Sequence, residues 1–120
     1  MLAILAPGQG SQTPGFLNPW LADSDFADMM ADLSHAADID LVRYGTEADA
    51  DEIRDTAVAQ PLLVASAIAT CDALLDEPLP AATITAGHSV GELAAAAIAG
   101  VISPVEAMRL VAVRGHAMAE

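Results

Sequence analysis

Residues 82–92 read ATITAGHSVGE, a β-branched run followed by a serine with a glycine two positions away on either side. Thr83, Ile84 and Thr85 favour an extended strand. Gly87-His88-Ser89-Val90-Gly91 then fits the G-x-S-x-G turn that carries a strand directly into a helix. Such a turn holds its serine in a strained backbone conformation with the hydroxyl exposed. The two glycines are needed because the crossing strand and helix leave no room for side chains there. The helix that follows aims free N–H groups and the positive end of its dipole at the serine. On this reading Ser89 is a nucleophile, the Val90 amide is an oxyanion donor, and Gly87, His88 and Gly91 support the turn. The alternative is a helix N-terminus that Ser89 only caps.

An oxyanion hole needs a second donor, and the N-terminal stretch offers one. LAILA at 2–6 predicts a short buried strand of a parallel sheet, stopped by Pro7-Gly8. The loop PGQGSQTPG follows at the carboxyl end of that strand, the edge where α/β sheets place ligands. Its glycines let backbone amides approach a ligand closely. GQGSQT lacks the third glycine of a dinucleotide fingerprint, and Pro14-Gly15 interrupts the helix such a loop must open. A plain structural turn stays open as the other reading.

Between the two strands the pattern is helical. A helix is predicted from about Ser24, with Phe26, Met29, Met30 and Leu33 on one face. IDLVRYG is a short helical turn ending at Gly45, and Thr46 is the expected N-cap of a polar helix with Asp49 three residues on. Gln60-Pro61 is expected to open the next helix, which is apolar on nearly all sides. Beyond the serine turn, a helix runs from Glu92 to Ala99 and closes at Gly100. Ser103-Pro104-Val105-Glu106 starts the last one, with a capping serine and a glutamate three residues on. Strand, loop, helices, strand, turn and helix make an α/β pattern. Two strands alone leave a parallel sheet uncovered on its faces and edges, so the chain reads as the first part of a larger sheet.

Composition points the same way. At 120 residues the chain fits one modest domain, yet 54% of it is hydrophobic and only 3% aromatic, with mean hydropathy +0.45. So small a domain should be more polar, which predicts apolar surface that another part covers. The formal net charge is −13, from 17 acidic residues against four arginines. That excludes a nucleic-acid footprint and binding to anionic membranes. Cys71 stands alone, so there is no intrachain disulfide and no cysteine-based metal site; its apolar neighbours predict buried packing. No metal or bound cofactor is expected. No apolar run reaches the ~18–20 residues of a membrane span. The N-terminus lacks the charged and apolar regions of a signal peptide, so the expected location is the cytoplasm.

Five segments, in order along the whole chain, resemble the malonyl-CoA:acyl carrier protein transacylases and the acyltransferase domains of polyketide synthases. They are PGQGSQ at 7–12, AQP at 59–61, GHSVGE at 87–92, AGVIS at 99–103 and LVAVRGHAM at 110–118. The resemblance implies an α/β-hydrolase-like parallel-sheet domain of which residues 1–120 are the N-terminal part, ahead of a ferredoxin-like subdomain. It implies ping-pong transfer of malonyl from coenzyme A to Ser89, then to the phosphopantetheine thiol of acyl carrier protein. It further implies that the Gln9 and Val90 amides form the oxyanion hole, that Arg114 binds the malonyl carboxylate, and that Gln60 lines the pocket. By the same resemblance, Val90 implies a preference for malonyl over methylmalonyl, whose domains commonly carry glutamine at that position.

The residues offer their own support for Arg114. On a helical wheel for 104–120, Glu106, Arg109, His116 and Glu120 share a polar side, while Arg114 falls among Leu110, Val111 and Met118. A charge on an apolar side is costly unless an anion meets it. A structural ion pair or a snorkelling arginine is the alternative. The general base for Ser89 is harder to find. His88 points away within the turn, and His35 and His116 fall on polar surfaces. The family's histidine lies beyond Glu120, so residues 1–120 alone are expected to be inactive, and the missing C-terminal part is an expected partner. A serine hydrolase or thioesterase with a similar turn, or a non-catalytic interaction fragment, are the competing functions.

Overall fold

Leu2–Ala6 forms strand β1 and Thr83–Gly87 forms β2, the two stretches read as strands from their apolar and β-branched runs. They pair in parallel, Leu2 opposite Thr83 and Ala6 opposite Gly87, so both carboxyl ends finish level at one edge. The structure is a computed structural model and describes residues 1–120.

Helix α1 (Ser24–Ala37) starts where Asp23 accepts from the Asp25 and Phe26 amides, and it buries Phe26, Met30, Leu33 and Ala37 along one stripe. Trp20 stacks on Phe26 with ring centroids 5.5 Å apart. Helix α2 (Leu41–Thr46) is capped by Asp40. Thr46 is its last residue, and its hydroxyl donates to the Val42 carbonyl at 2.7 Å. Thr46 therefore caps no polar helix. The reciprocal cap lies three residues later: Glu52 N–H donates to Asp49, and Asp49 N–H donates back to Glu52. It supports a single 3₁₀ turn at Glu52–Arg54, pinned by the buried Ile53. Arg43 bonds Glu52 at 2.8 Å and holds its carboxyl below the usual carboxylate range.

Helix α3 (Thr56–Leu74) opens at Asp55, whose carboxylate accepts from the Ala57 amide at 2.9 Å. Pro61 lies inside this helix, so Gln60-Pro61 is not its start; the side-chain cap upstream outweighs the proline signal. At 19 residues and a mean hydropathy of 1.5, α3 is long and apolar enough to cross a membrane, contrary to the sequence expectation. Here it is the central helix, buried from Val58 through Ser66 and packed against α1 and the two helices after β2. Those are α4 (Gly91–Ile98) and α5 (Pro104–Ala119), the latter capped by Ser103 on the Glu106 amide at 3.0 Å with Pro104 in its first turn.

The apolar excess is visible on the sheet. Leu5 and Ile84 share a face and remain 76% and 55% exposed, because no helix of the chain crosses that side. The outer edge of β1 opens into an apolar groove lined also by Ala67, Cys71, Leu74 and Ile98. Cys71 is thus half-exposed rather than buried, since the end of α3 has only this groove beside it. Partial burial, with Glu77 and Asp72 nearby, still pushes its thiol above the ordinary value.

Candidate active site

The serine turn is built by the meeting of β2, α4 and the end of β1. Ser89 has φ +54°, a left-handed backbone that a residue with a side chain adopts only under constraint, at a cost of order 1–3 kcal/mol. The constraint is a set of three backbone bonds. His88 N–H donates to Ala6 O at 3.1 Å, Gly91 N–H to His88 O at 3.0 Å, and Glu92 N–H to Ser89 O at 3.0 Å. Both glycines are sterically obligatory. A Cβ on Gly87 would lie 2.1 Å from the Gly91 carbonyl, and one on Gly91 would lie 2.4 Å from Ala6 O.

Val90 splits its roles: the side chain is buried in the core at 1% exposure, while its N–H has no acceptor in the chain. The Gln9 amide is likewise unpaired. The loop that carries Gln9 abuts the turn, since a Cβ on Gly8 would meet His88 Nδ1 at 2.6 Å. Residues 7–10 and 88–90, distant in sequence, therefore form one corner with free N–H donors, the requirement for an oxyanion hole.

Arg114 reaches this corner from α5. One guanidinium nitrogen donates to Ser89 Oγ at 3.2 Å, and another donates to Gln60 Oε1 at 2.7 Å. Gln60 is 1% exposed on α3, and its Nε2 contacts Met118 Sδ at 3.4 Å. The ion pairs of the chain are Arg43–Glu52 and Arg54–Asp51, so Arg114 has no carboxylate partner. That removes the structural ion pair as an explanation of its position. The apolar side predicted around it is only partly so, with Val111 buried but Leu110 and Met118 about half exposed.

The structure thus brings Ser89, Val90, Gln60 and Arg114 together and sets the Gln9 loop beside them. It brings no base: the only hydrogen bond on Ser89 Oγ is from Arg114, and His35, His88 and His116 are all exposed and unbonded to it. Nor is there a basic cluster, because Arg43 and Arg54 are already paired with acids. Two contributors escaped sequence reasoning. Met118, noted only as an apolar neighbour, fixes the amide of Gln60. Thr56, the first residue of α3, takes a hydrogen bond from Gln9 Nε2 at 3.1 Å. Position in the helix gave no signal for either.

The acyl transferase domain model matches residues 4–120. The chain belongs to the acyl transferase domain family. It is 54% identical to the malonyl CoA-acyl carrier protein transacylase of Mycobacterium tuberculosis, over 100% of this chain and 40% of that protein. It is 36% identical to the Escherichia coli K12 protein of the same name, over 98% of this chain and 38% of that one. Among solved structures, that of MCAT from Mycobacterium tuberculosis superposes with a TM-score of 0.84 at 53% identity, covering 99% of this chain and 40% of that one. A malonyl-transacylase in complex with a type II polyketide acyl carrier protein superposes at 0.87 with 34% identity, over 98% of this chain and 38% of that one. The acyl transferase stretch described by this structure is therefore an α/β unit of the family that spans about two fifths of these relatives' length.

Proposed function

We propose that residues 1–120 carry the acyl-accepting part of a malonyl-CoA:acyl carrier protein transacylase site, with Ser89 as its nucleophile. The observation that carries this reading is Arg114: a guanidinium without a carboxylate, bridging the serine hydroxyl and a buried amide. A malonyl thioester has the missing carboxylate at one end and the reactive carbonyl at the other. Arg114 turns its Ser89-facing nitrogen to that carboxylate, while Gln60 keeps hold of the other. A planar guanidinium that holds the amide with one nitrogen and the carboxylate with another fits this task, and a single ammonium nitrogen does not.

Ser89 Oγ then attacks the thioester carbonyl, and its proton passes to a general base. The amides of Gln9 and Val90 take the charge that develops on the carbonyl oxygen. The C–S bond breaks, coenzyme A leaves as a thiol and malonyl-Ser89 remains. The phosphopantetheine thiol of an acyl carrier protein reverses these steps and carries malonyl away. The base, a ferredoxin-like subdomain and the cover for the Leu5–Ile84 face are assigned to the part of the relatives outside this stretch. What supports that assignment is the 40% coverage and the open face of the two-stranded parallel sheet.

The test uses the full-length polypeptide carrying these residues. With malonyl-CoA it should form a mass-detectable adduct on Ser89, absent in Ser89→Ala, and pass malonyl on when acyl carrier protein is added. Release of free malonate at the same rate with and without carrier protein would make it a hydrolase instead. The isolated stretch 1–120 should show no turnover.

A further inference from the structure

We infer that Gln12 is a positioning residue for acylation, its side-chain amide clamping the loop that carries the Gln9 donor. The inference rests on the roles proposed above for Ser89 and Gln9. Gln12 Oε1 accepts from the Gly10 amide at 2.9 Å, and Gln12 Nε2 donates to Ile53 O at 2.9 Å. The first bond closes the loop on itself and occupies Gly10 N–H, which leaves the neighbouring Gln9 N–H as the unpaired donor. The second ties the loop to the 3₁₀ turn ahead of α3, at a residue whose own side chain is buried.

Two further bonds work with the clamp. Gln9 Nε2 reaches Thr56 Oγ1 at 3.1 Å, and Ser11 Oγ donates to Gly8 O at 3.2 Å. Gly8 is in turn packed on His88, so a shift of the loop changes its place against the serine turn. Only a primary amide serves at position 12, because one planar group must accept from one partner and donate to another. Methionine has the reach and neither function; glutamate keeps the acceptor and loses the donor. The hydrogen bonds of Gln12 go to Gly10 and Ile53 and not to Ser89, Arg114 or Gln60, so it acts through Gln9 and not on the substrate.

The experiment compares Gln12→Met and Gln12→Glu with the unaltered full-length protein, measuring pre-steady-state acylation by malonyl-CoA and inhibition by free malonate. Outright loss of an oxyanion donor costs about 10²–10³ in rate, so loosening one should slow Gln12→Met acylation about 10- to 100-fold. The KM for malonyl-CoA and the malonate inhibition constant should hold, because the Arg114–Gln60 pair is untouched. Should Gln12→Met fail to fold, Gln12→Glu carries the test, since it retains the Gly10 bond. Wild-type acylation rates in the folded variants, or a loss confined to KM and malonate affinity, would overturn the inference. Failure of the unaltered protein to form malonyl-Ser89 is a different result and defeats the proposed function itself.

Discussion

Replacing Arg114 with alanine should separate malonyl from acetyl donors. In the structure its two nitrogens lie 2.7 Å from Gln60 Oε1 and 3.2 Å from Ser89 Oγ. With malonyl bound, the second nitrogen transfers to a carboxylate. A hydrogen bond to a charged group contributes about 1.5–3 kcal/mol. Arg114 is only half-buried, so solvent screens part of this and the lower end applies. A loss of about 1.5 kcal/mol corresponds to a roughly tenfold fall in kcat/KM for malonyl-CoA. Acetyl-CoA has no carboxylate, and its kcat/KM should change by less than about threefold. The substitution also leaves the buried Gln60 carbonyl without its donor, at about 1–3 kcal/mol of stability. Thermal melts and the double variant Arg114→Ala/Gln60→Leu control for that cost. The assay is acylation of the full-length protein by each thioester under pre-steady-state conditions. An equal fall for both donors would refute the carboxylate role and return Arg114 to a structural one.

Gly87→Ala should destabilise the folded chain by more than about 3 kcal/mol in denaturant unfolding, because the added methyl meets the Gly91 carbonyl carbon and oxygen at 2.1 Å. An unchanged midpoint would mean that the crossing of β2 and α4 is looser than described. Asp55→Ala should cost about 1 kcal/mol through loss of the α3 cap, while Thr46→Ala should leave that helix unaffected. Equal effects, read from the same unfolding curves, would put the helix start back upstream.

Local chemistry makes several elements legible in the amino-acid sequence. The two five-residue strands, the serine turn and the Ser103 cap carry their signals in residue types within a few positions, and all form where the residue pattern predicts them. The displaced helix starts have a physical cause. Thr46 and Pro61 are both acceptable helix-opening residues, and carboxylates at Asp49 and Asp55 outcompete them for the free amides. Cys71 departs from its expected burial because a residue's exposure depends on what covers its helix, and the groove beside α3 is open.

The sequence by itself determined where the strand–turn–helix at Ser89 falls, because the β-branched run and the two glycines that signal it sit within a few positions of the serine. It also marked Arg114 as a charge in want of an anion. Only the tertiary structure decided what that charge meets. Arg114 and Gln60 are 54 residues apart, and Gln12 and Ile53 are 41 apart. No periodicity encodes such pairs. They exist because α3 and α5 pack against each other and because the loop after β1 folds onto the 3₁₀ turn ahead of α3, which brings their hydrogen-bonding groups within 3 Å.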